Sequence, residues 1–329
     1  MVSREKLEHN QIWIYAIALV IAAIAGIMMP ETTSLLDNHV LISIIIAGLM
    51  FGMFTQIPFL SIKESMGNPR FIYALLVANY VAVPLVVWLL TQFLPQEQPS
   101  LLLGVYLVLL TPCIDYVIVF TFLGKGNEKA MLLATPILFV TQMIFLPAYL
   151  WIFMGKQTAE LVKPGPFIEA FLIIILLPLL LAILTQVLAK KGFNPVLEAS
   201  AWLPVPLMAL TLFVIVASQM SKLSSYADTI VKVIPIYLAF MIIMPVITRL
   251  IVKYFSLDIR SGRAVVFSAG TRNSLVVLPL ALSLPDQWSS LVAAIIVTQT
   301  IVELVGELIY IRLVPRFVLP DKSLEQNSG

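Results

Sequence analysis

The sequence predicts an all-α polytopic membrane protein: ten transmembrane helices arranged as two inverted five-helix repeats, with broken, crossing fourth and ninth helices. Three observations lead there. Of the 329 residues, 60% are hydrophobic and only 12% charged, so most of the chain must lie in lipid. The apolar residues fall into long runs separated by short polar loops. Finally, Val140-Thr141-Gln142-Met143-Ile144 returns about half a chain later as Val297-Thr298-Gln299-Thr300-Ile301, each copy inside an apolar run, which marks an internal duplication. A copy with an odd number of spans re-enters the bilayer from the opposite face, and such inverted repeats are the usual frame of secondary transporters.

A hydrocarbon core about 30 Å thick takes about 20 apolar residues as helix, and the runs divide accordingly. The first, Trp13 to Met29, follows Arg4 and Lys6 and contains Ala23-Ile24-Ala25, a pattern shared with cleavable signal peptides. Its apolar run is longer than a signal core and further spans follow, so it reads as a retained helix. The second run, Val40 to Phe59, ends before Gly67-Asn68-Pro69; the third, Phe71 to Leu94, before the Pro95 to Pro99 loop. The fourth, Leu101 to Leu123, carries Pro112 at mid-span and closes on Gly124-Lys125-Gly126-Asn127. The fifth, Ala130 to Met154, and sixth, Pro166 to Leu188, flank Pro164-Gly165-Pro166. After Gly192-Phe193-Asn194-Pro195 come Ala201 to Met220, Ile230 to Phe255, Ala264 to Leu284 and, past Pro285-Asp286, Ser290 to Val314. These Gly, Pro, Asn and Asp clusters are turn-formers, and none of the loops could hold a soluble domain. The division is therefore residues 1–160 and 161–320 for the two repeats, with a polar, disordered cytoplasmic tail at 321–329.

Net charge is +2, too small to imply a nucleic-acid partner, but its distribution is informative. Arg4, Lys6, Lys63, Arg70, Lys125, Lys129, Lys190, Lys191, Lys253, Arg260, Arg263, Arg312, Arg316 and Lys322 fall on one side of the ten-span topology; Lys156, Lys163, Lys222 and Lys232 fall on the other. The positive-inside rule then places both termini in the cytoplasm, in a multi-pass protein of the cytoplasmic membrane. The single cysteine, Cys113, excludes an intramolecular disulfide and multi-thiolate metal cages. His9 and His39 lie at span ends and form no ligand cluster, so no cofactor or resident metal is expected.

At an offset of about 158 residues, Thr111-Pro112-Cys113-Ile114-Asp115 lies opposite Ala269-Gly270-Thr271-Arg272-Asn273. The fourth span of each repeat is thus interrupted: Pro112 removes a backbone donor and Gly270 weakens its helix. Such breaks survive in lipid only where protein or a wet cavity surrounds them. Four ionisable groups lie deep in spans: Asp115, Arg272, Glu303 and Glu307. A charge at the helix centre costs about 2.5–3.5 kcal/mol on insertion scales, so each needs a partner, a cavity or a proton. Asp115 and Arg272, on the two broken spans, form an ion pair at the crossing or merely glue it; sequence does not choose. Glu303 and Glu307 are one turn apart on the tenth span and share a face; two close carboxylates away from water do not both ionise easily, which suits a proton carrier. By depth Glu303 ranks first, and Glu307 is nearer the cytoplasmic headgroups. Cys113 beside unwound backbone is expected to be accessible, and its sulfur prefers soft, thiophilic species. Thr141, Gln142, Thr298 and Gln299 line the cavity or bond helices together, with Asn79, Tyr106 and Ser274 as weaker candidates.

Over essentially its whole length the chain resembles the bile acid:sodium symporter superfamily, whose members have ten spans, two inverted repeats and crossed broken fourth and ninth helices. Pro112-Cys113-Ile114-Asp115-Tyr116-Val117-Ile118-Val119 and Leu123-Gly124-Lys125-Gly126-Asn127 are similar to the fourth span of the arsenical-resistance branch, the arsenite efflux permeases. That resemblance implies functional roles for Cys113 and for Glu303 in Val302-Glu303-Leu304. The sodium-coupled branch has Ser-Asn where this chain has Val117-Ile118, and Glu-x-x-x-Gln-Asn-Ser where it has Ser268 followed by Arg272-Asn273-Ser274. Hard cations need oxygen ligands, so two-sodium coupling is expected to be lost and proton exchange favoured. Asp115 and Arg272 depart from the arsenite branch as well, where a small and an uncharged polar residue stand.

The expectation is a non-enzymatic carrier exporting arsenite or antimonite against proton entry by alternating access. Cys113, Glu303, Asn273 and Arg272 would bind the oxyanion, and Glu303 and Asp115 would couple the proton. The alternative is a symporter for an organic anion, a carboxylate or bile-acid-like molecule, held by Arg272 and half-helix N-termini. A membrane enzyme is disfavoured: the chain has no His-Glu-x-x-His, no Walker loop and no histidine within a span to pair with Cys113.

Overall fold

The computed structural model describes residues 4–36, 39–56, 68–114, 116–161, 171–192 and 194–321. Asp115, the expected loop around Pro164-Gly165-Pro166 and the polar tail beyond Asp321 lie outside the described residues. The elements are α1 (Arg4–Met28), α2 (Pro30–Ser34), α3 (His39–Gln56), α4 (Pro69–Thr91), α5 (Pro99–Leu109), α6 (Val117–Leu123) and α7 (Glu128–Leu161). Then come α8 (Leu177–Lys190), α9 (Pro195–Ser200), α10 (Pro204–Ser225), α11 (Ala227–Tyr254), α12 (Ile259–Gly270), α13 (Ser274–Leu282) and α14 (Asp286–Leu313). The described residues are thus all-helical.

Local sequence explains the starts. Pro69 occupies the first turn of α4, where a missing N–H costs nothing, and the Asn68 side chain accepts the N–H of Phe71 at 3.2 Å. Asp258 caps α12 in the same way, accepting the N–H of Ser261 at 3.0 Å.

Four stretches, Pro69–Thr91, Glu128–Gly155, Ala227–Tyr254 and Gln287–Val318, are long and apolar enough to cross a membrane. Their outer faces agree. Along α11, Leu238, Ile242, Val246 and Leu250 recur every fourth residue and are 49%, 71%, 61% and 65% exposed, while Phe240 and Met244 are buried. Keeping a side chain of this size in water rather than burying it costs about 1.5–3 kcal/mol. Lipid removes that cost.

The chain forms two compact units, each discontinuous in sequence. The first comprises Met1–Leu60, Val162–Ile230 and Leu278–Val297. In it α1 lies along α10, and α3 packs on α8 and α10. A Cβ at Gly52 would stand 2.8 Å from that of Leu203, so only glycine permits this approach. The Gln186 side chain donates to Phe54 O (3.1 Å) and Thr55 O (3.3 Å), satisfying carbonyls at the end of α3.

The second unit comprises Ser61–Leu161, Val231–Val277 and Thr298–Gly329. Here α12 packs on α4, α6 and α7, and α5 on α7. A π-helical turn, Ala78–Ala82, interrupts α4; such turns re-aim side chains and recur at functional sites. Buried Arg263, near the start of α12, donates to Leu319 O (2.8 Å), Lys125 O (3.2 Å) and Asp321 Oδ1 (2.8 Å).

Candidate functional site at two broken helices

The segment expected as the fourth span is α5, non-helical residues at 111–114, and then α6; the ninth is α12, non-helical residues at 271–273, and then α13. Both breaks lie in the second unit. Each frees backbone groups that helix would have paired, and the two stretches pair them with each other. Pro112 faces Arg272 in an antiparallel bridge. The Asn273 N–H donates to Thr111 O at 2.8 Å, and the Cys113 N–H to Thr271 O at 3.2 Å. A threonine precedes each break and bonds back to the carbonyl four residues earlier: Thr111 to Leu107 O and Thr271 to Phe267 O, both at 2.7 Å. Asn273 restarts α13, its Oδ1 accepting the Val276 N–H at 3.2 Å.

Gly270 has a reason beyond weakening the helix. The Tyr310 ring lies against it, 2.6 Å from where a Cβ would stand, and the Tyr310 hydroxyl donates to Met241 O. Helix α14 is thereby seated on the break.

Around the crossing sit the expected site residues. Glu303 is wholly buried. Its Oε2 accepts the backbone N–H of Arg272 at 2.7 Å and the Gln299 amide, and its Oε1 accepts the Tyr116 hydroxyl at 2.7 Å. The Arg272 side chain, also wholly buried, points to other partners: Asn79 Oδ1 at 2.9 Å, Leu109 O at 3.3 Å and Ser268 O. The Phe240 ring lies under it, 5.6 Å from the guanidinium carbon, a cation–π distance. Its Nε has no hydrogen-bond partner among the described residues.

Two expectations change here. Cys113 is fully buried rather than accessible, because the bridge to Thr271 closes over the break. Glu307 is equally buried rather than solvated among headgroups, and Thr271 Oγ1 contacts its Oε1 at 2.8 Å. Asp115 lies outside the described residues, so its expected pairing with Arg272 stays an expectation.

The remaining polar candidates divide. Gln299 joins Glu303, and Asn79 joins Arg272 and donates to Ser268 Oγ at 3.0 Å. Thr141 bonds Tyr80 at 2.8 Å and Tyr106 meets Thr91 at 2.9 Å, both as links between helices. Gln142, Ser274, Asn273 Nδ2, Gln299 Oε1, Glu307 Oε2 and Thr121 Oγ1 are buried atoms or side chains without a hydrogen-bond partner among the described residues. Buried polar atoms of this kind mark places that can take water, ion or substrate. Sequence reasoning passed over Tyr116, Thr271 and Tyr310. For Thr271 a signal existed, since a threonine stands just before both breaks.

A chain of long lipid-compatible helices, with two interrupted segments bridged through backbone and lined by buried polar groups, is a multi-pass membrane protein of the secondary-transporter class. Comparison with known proteins agrees. A family model described as Sodium Bile acid symporter family matches residues 43–226, and the chain belongs to that family. A relative in Bacillus subtilis (strain 168), described as uncharacterized sodium-dependent transporter YocS, is 23% identical over 271 residues, covering 82% of this chain and 81% of the relative.

Proposed function

We propose that the protein is a symporter of the cytoplasmic membrane that carries an organic anion, of the carboxylate or bile-acid-like class, together with sodium by alternating access. One observation carries this reading. The Arg272 guanidinium is wholly buried, its side-chain hydrogen bonds go to uncharged oxygens, and Nε is left without an acceptor among the described residues. A buried cation held by neutral acceptors keeps its attraction for an anion, and the N-terminus of α13 beside it adds to the attraction. Sodium rather than the proton is chosen as coupling ion because the family and the sodium-dependent relative favour it.

The topology belongs to the same proposal: ten spans, repeats at 1–160 and 161–320, and both termini in the cytoplasm. Its support is that the segments expected as the fourth and ninth spans are both interrupted, each after a back-bonded threonine.

Arsenite or antimonite efflux against protons is the second reading, favoured by the place of Cys113 on the bridge itself. Against it, Glu303 already uses both carboxylate oxygens to hold the break. Two assays separate them. Uptake of taurocholate and short carboxylates into proteoliposomes, under an inward sodium gradient, should be abolished by Arg272→Gln and nearly untouched by Cys113→Ser. Metalloid resistance conferred on a pump-deficient host, and lost in Cys113→Ser and Glu303→Gln, would overturn the symport reading.

A further inference from the structure

Glu307 has no part in the anion site, yet it is the second fully buried carboxyl of α14 and lies one turn beyond Glu303. Its surroundings constrain its proton. Thr271 Oγ1 stands 2.7 Å from Phe267 O and 2.8 Å from Glu307 Oε1. A hydroxyl has one hydrogen to give and two lone pairs to receive with. If Glu307 were ionised, both neighbours would compete for that one hydrogen. If Glu307 carries a proton on Oε1, it gives that proton to Thr271 Oγ1, which gives its own to Phe267 O, and both short contacts are hydrogen bonds. Oε2 points the same way: it is buried without a hydrogen-bond partner among the described residues, tolerable for the carbonyl oxygen of an acid and costly for a carboxylate.

We infer that Glu307 is a proton-binding site wired to the helix crossing through the Thr271 hydroxyl. Release of the proton turns the Thr271 hydrogen toward the new carboxylate and takes it from Phe267 O. Thr271 then holds Phe267 O through its backbone N–H alone, at 2.9 Å, and the side-chain tie is lost on the residue whose carbonyl accepts the Cys113 N–H. Proton occupancy thus biases the geometry of the bridge, whichever anion the protein carries.

The groups that can charge around Glu307 come from three places. On α14 they are Glu303 and Tyr310. From the break comes Arg272, with Cys113 near it; Tyr116, just before α6, adds through Glu303. The sides given by α11 and α12 are Met241, which touches Gly306 and Tyr310, and Phe267, which packs on Tyr310.

Infrared difference spectroscopy on the purified full-length protein in proteoliposomes tests this without knowledge of the substrate. At neutral pH the carbonyl stretch of a protonated carboxylic acid should be present, vanish in Glu307→Gln, persist in Glu303→Gln, and decay on alkaline titration. Thr271→Val should shift that band and Thr271→Ser restore it, a readout that holds even if Glu307→Gln fails to accumulate. A band unchanged by Glu307→Gln or by Thr271→Val would overturn the inference. So would its loss on adding sodium chloride, and not choline chloride, at fixed pH, which would give those oxygens to sodium.

Discussion

The Glu303 carboxylate accepts the backbone N–H of Arg272 at 2.7 Å, while the Arg272 guanidinium reaches away to Asn79, Leu109 and Ser268. The acid therefore caps a broken helix, and the base is held by a different set of atoms. The two charges act in separate roles although their residues touch.

Removing the cap should cost stability whatever is transported. Glu303→Ala leaves the Arg272 N–H and the Gln299 amide without their acceptor, at about 1–3 kcal/mol for each buried group left unpaired. Glu303→Gln keeps one acceptor oxygen. In detergent the alanine variant should show a clearly lower Tm, with glutamine between it and the parent; equal Tm values in all three would refute the cap.

Arg272→Lys preserves charge but not the fork. Lysine offers a single ammonium and cannot reach Asn79 Oδ1, Leu109 O and Ser268 O from the same directions. Because the cap uses the backbone N–H, the variant should still accumulate in the membrane. Sodium-driven anion uptake should nonetheless fall at least about tenfold, corresponding to about 1.4 kcal/mol. Uptake at the parental rate would show that charge alone suffices.

Gly270→Ala tests how α14 is seated. The new Cβ would meet the Tyr310 ring at 2.6 Å, and overpacking of this kind costs about 1–3 kcal/mol. Thermal unfolding should register that loss. Combining Gly270→Ala with Tyr310→Leu, which removes the ring, should cost less than the sum of the single changes. Strict additivity would mean the contact is not the cause.

Near the start of α12, Arg263 and Asp321 form an ion pair at 2.8 Å, but unequally: the Asp321 side chain is 71% exposed and that of Arg263 only 2%. A pair with one solvated partner is worth about 0–1 kcal/mol, so Asp321→Asn should barely move Tm. Arg263→Gln removes donors from the Leu319 and Lys125 carbonyls as well. It should destabilise clearly more and expose the 314–321 segment to limited proteolysis. The reverse order of effects would make the ion pair the principal tie.

Composition and run length were enough to read a lipid-embedded helical chain, and Pro112 and Gly270 marked two spans that break, because a missing donor and a missing Cβ act locally. The named polar residues Cys113, Arg272, Asn273 and Glu303 do meet in one unit. Their roles were less legible. Depth along the tenth span ranked Glu307 below Glu303 and nearer water, yet both are wholly buried, since exposure depends on which helices surround a turn. Tyr116 carried no distinguishing sequence pattern of its own, and Thr271 only its match to Thr111; both gained importance from what lies across from them.

By itself, the sequence determined that this protein lives in a bilayer as helices and where two of those helices must fail, since hydrophobic run length and backbone chemistry are properties of neighbouring residues. Only the tertiary structure decided that the two failures repair each other through the Thr111–Asn273 and Thr271–Cys113 bonds, and that Glu303 caps Arg272 rather than neutralising it. Those are contacts between residues up to about half a chain apart. Their geometry depends on helix packing, which no local pattern encodes.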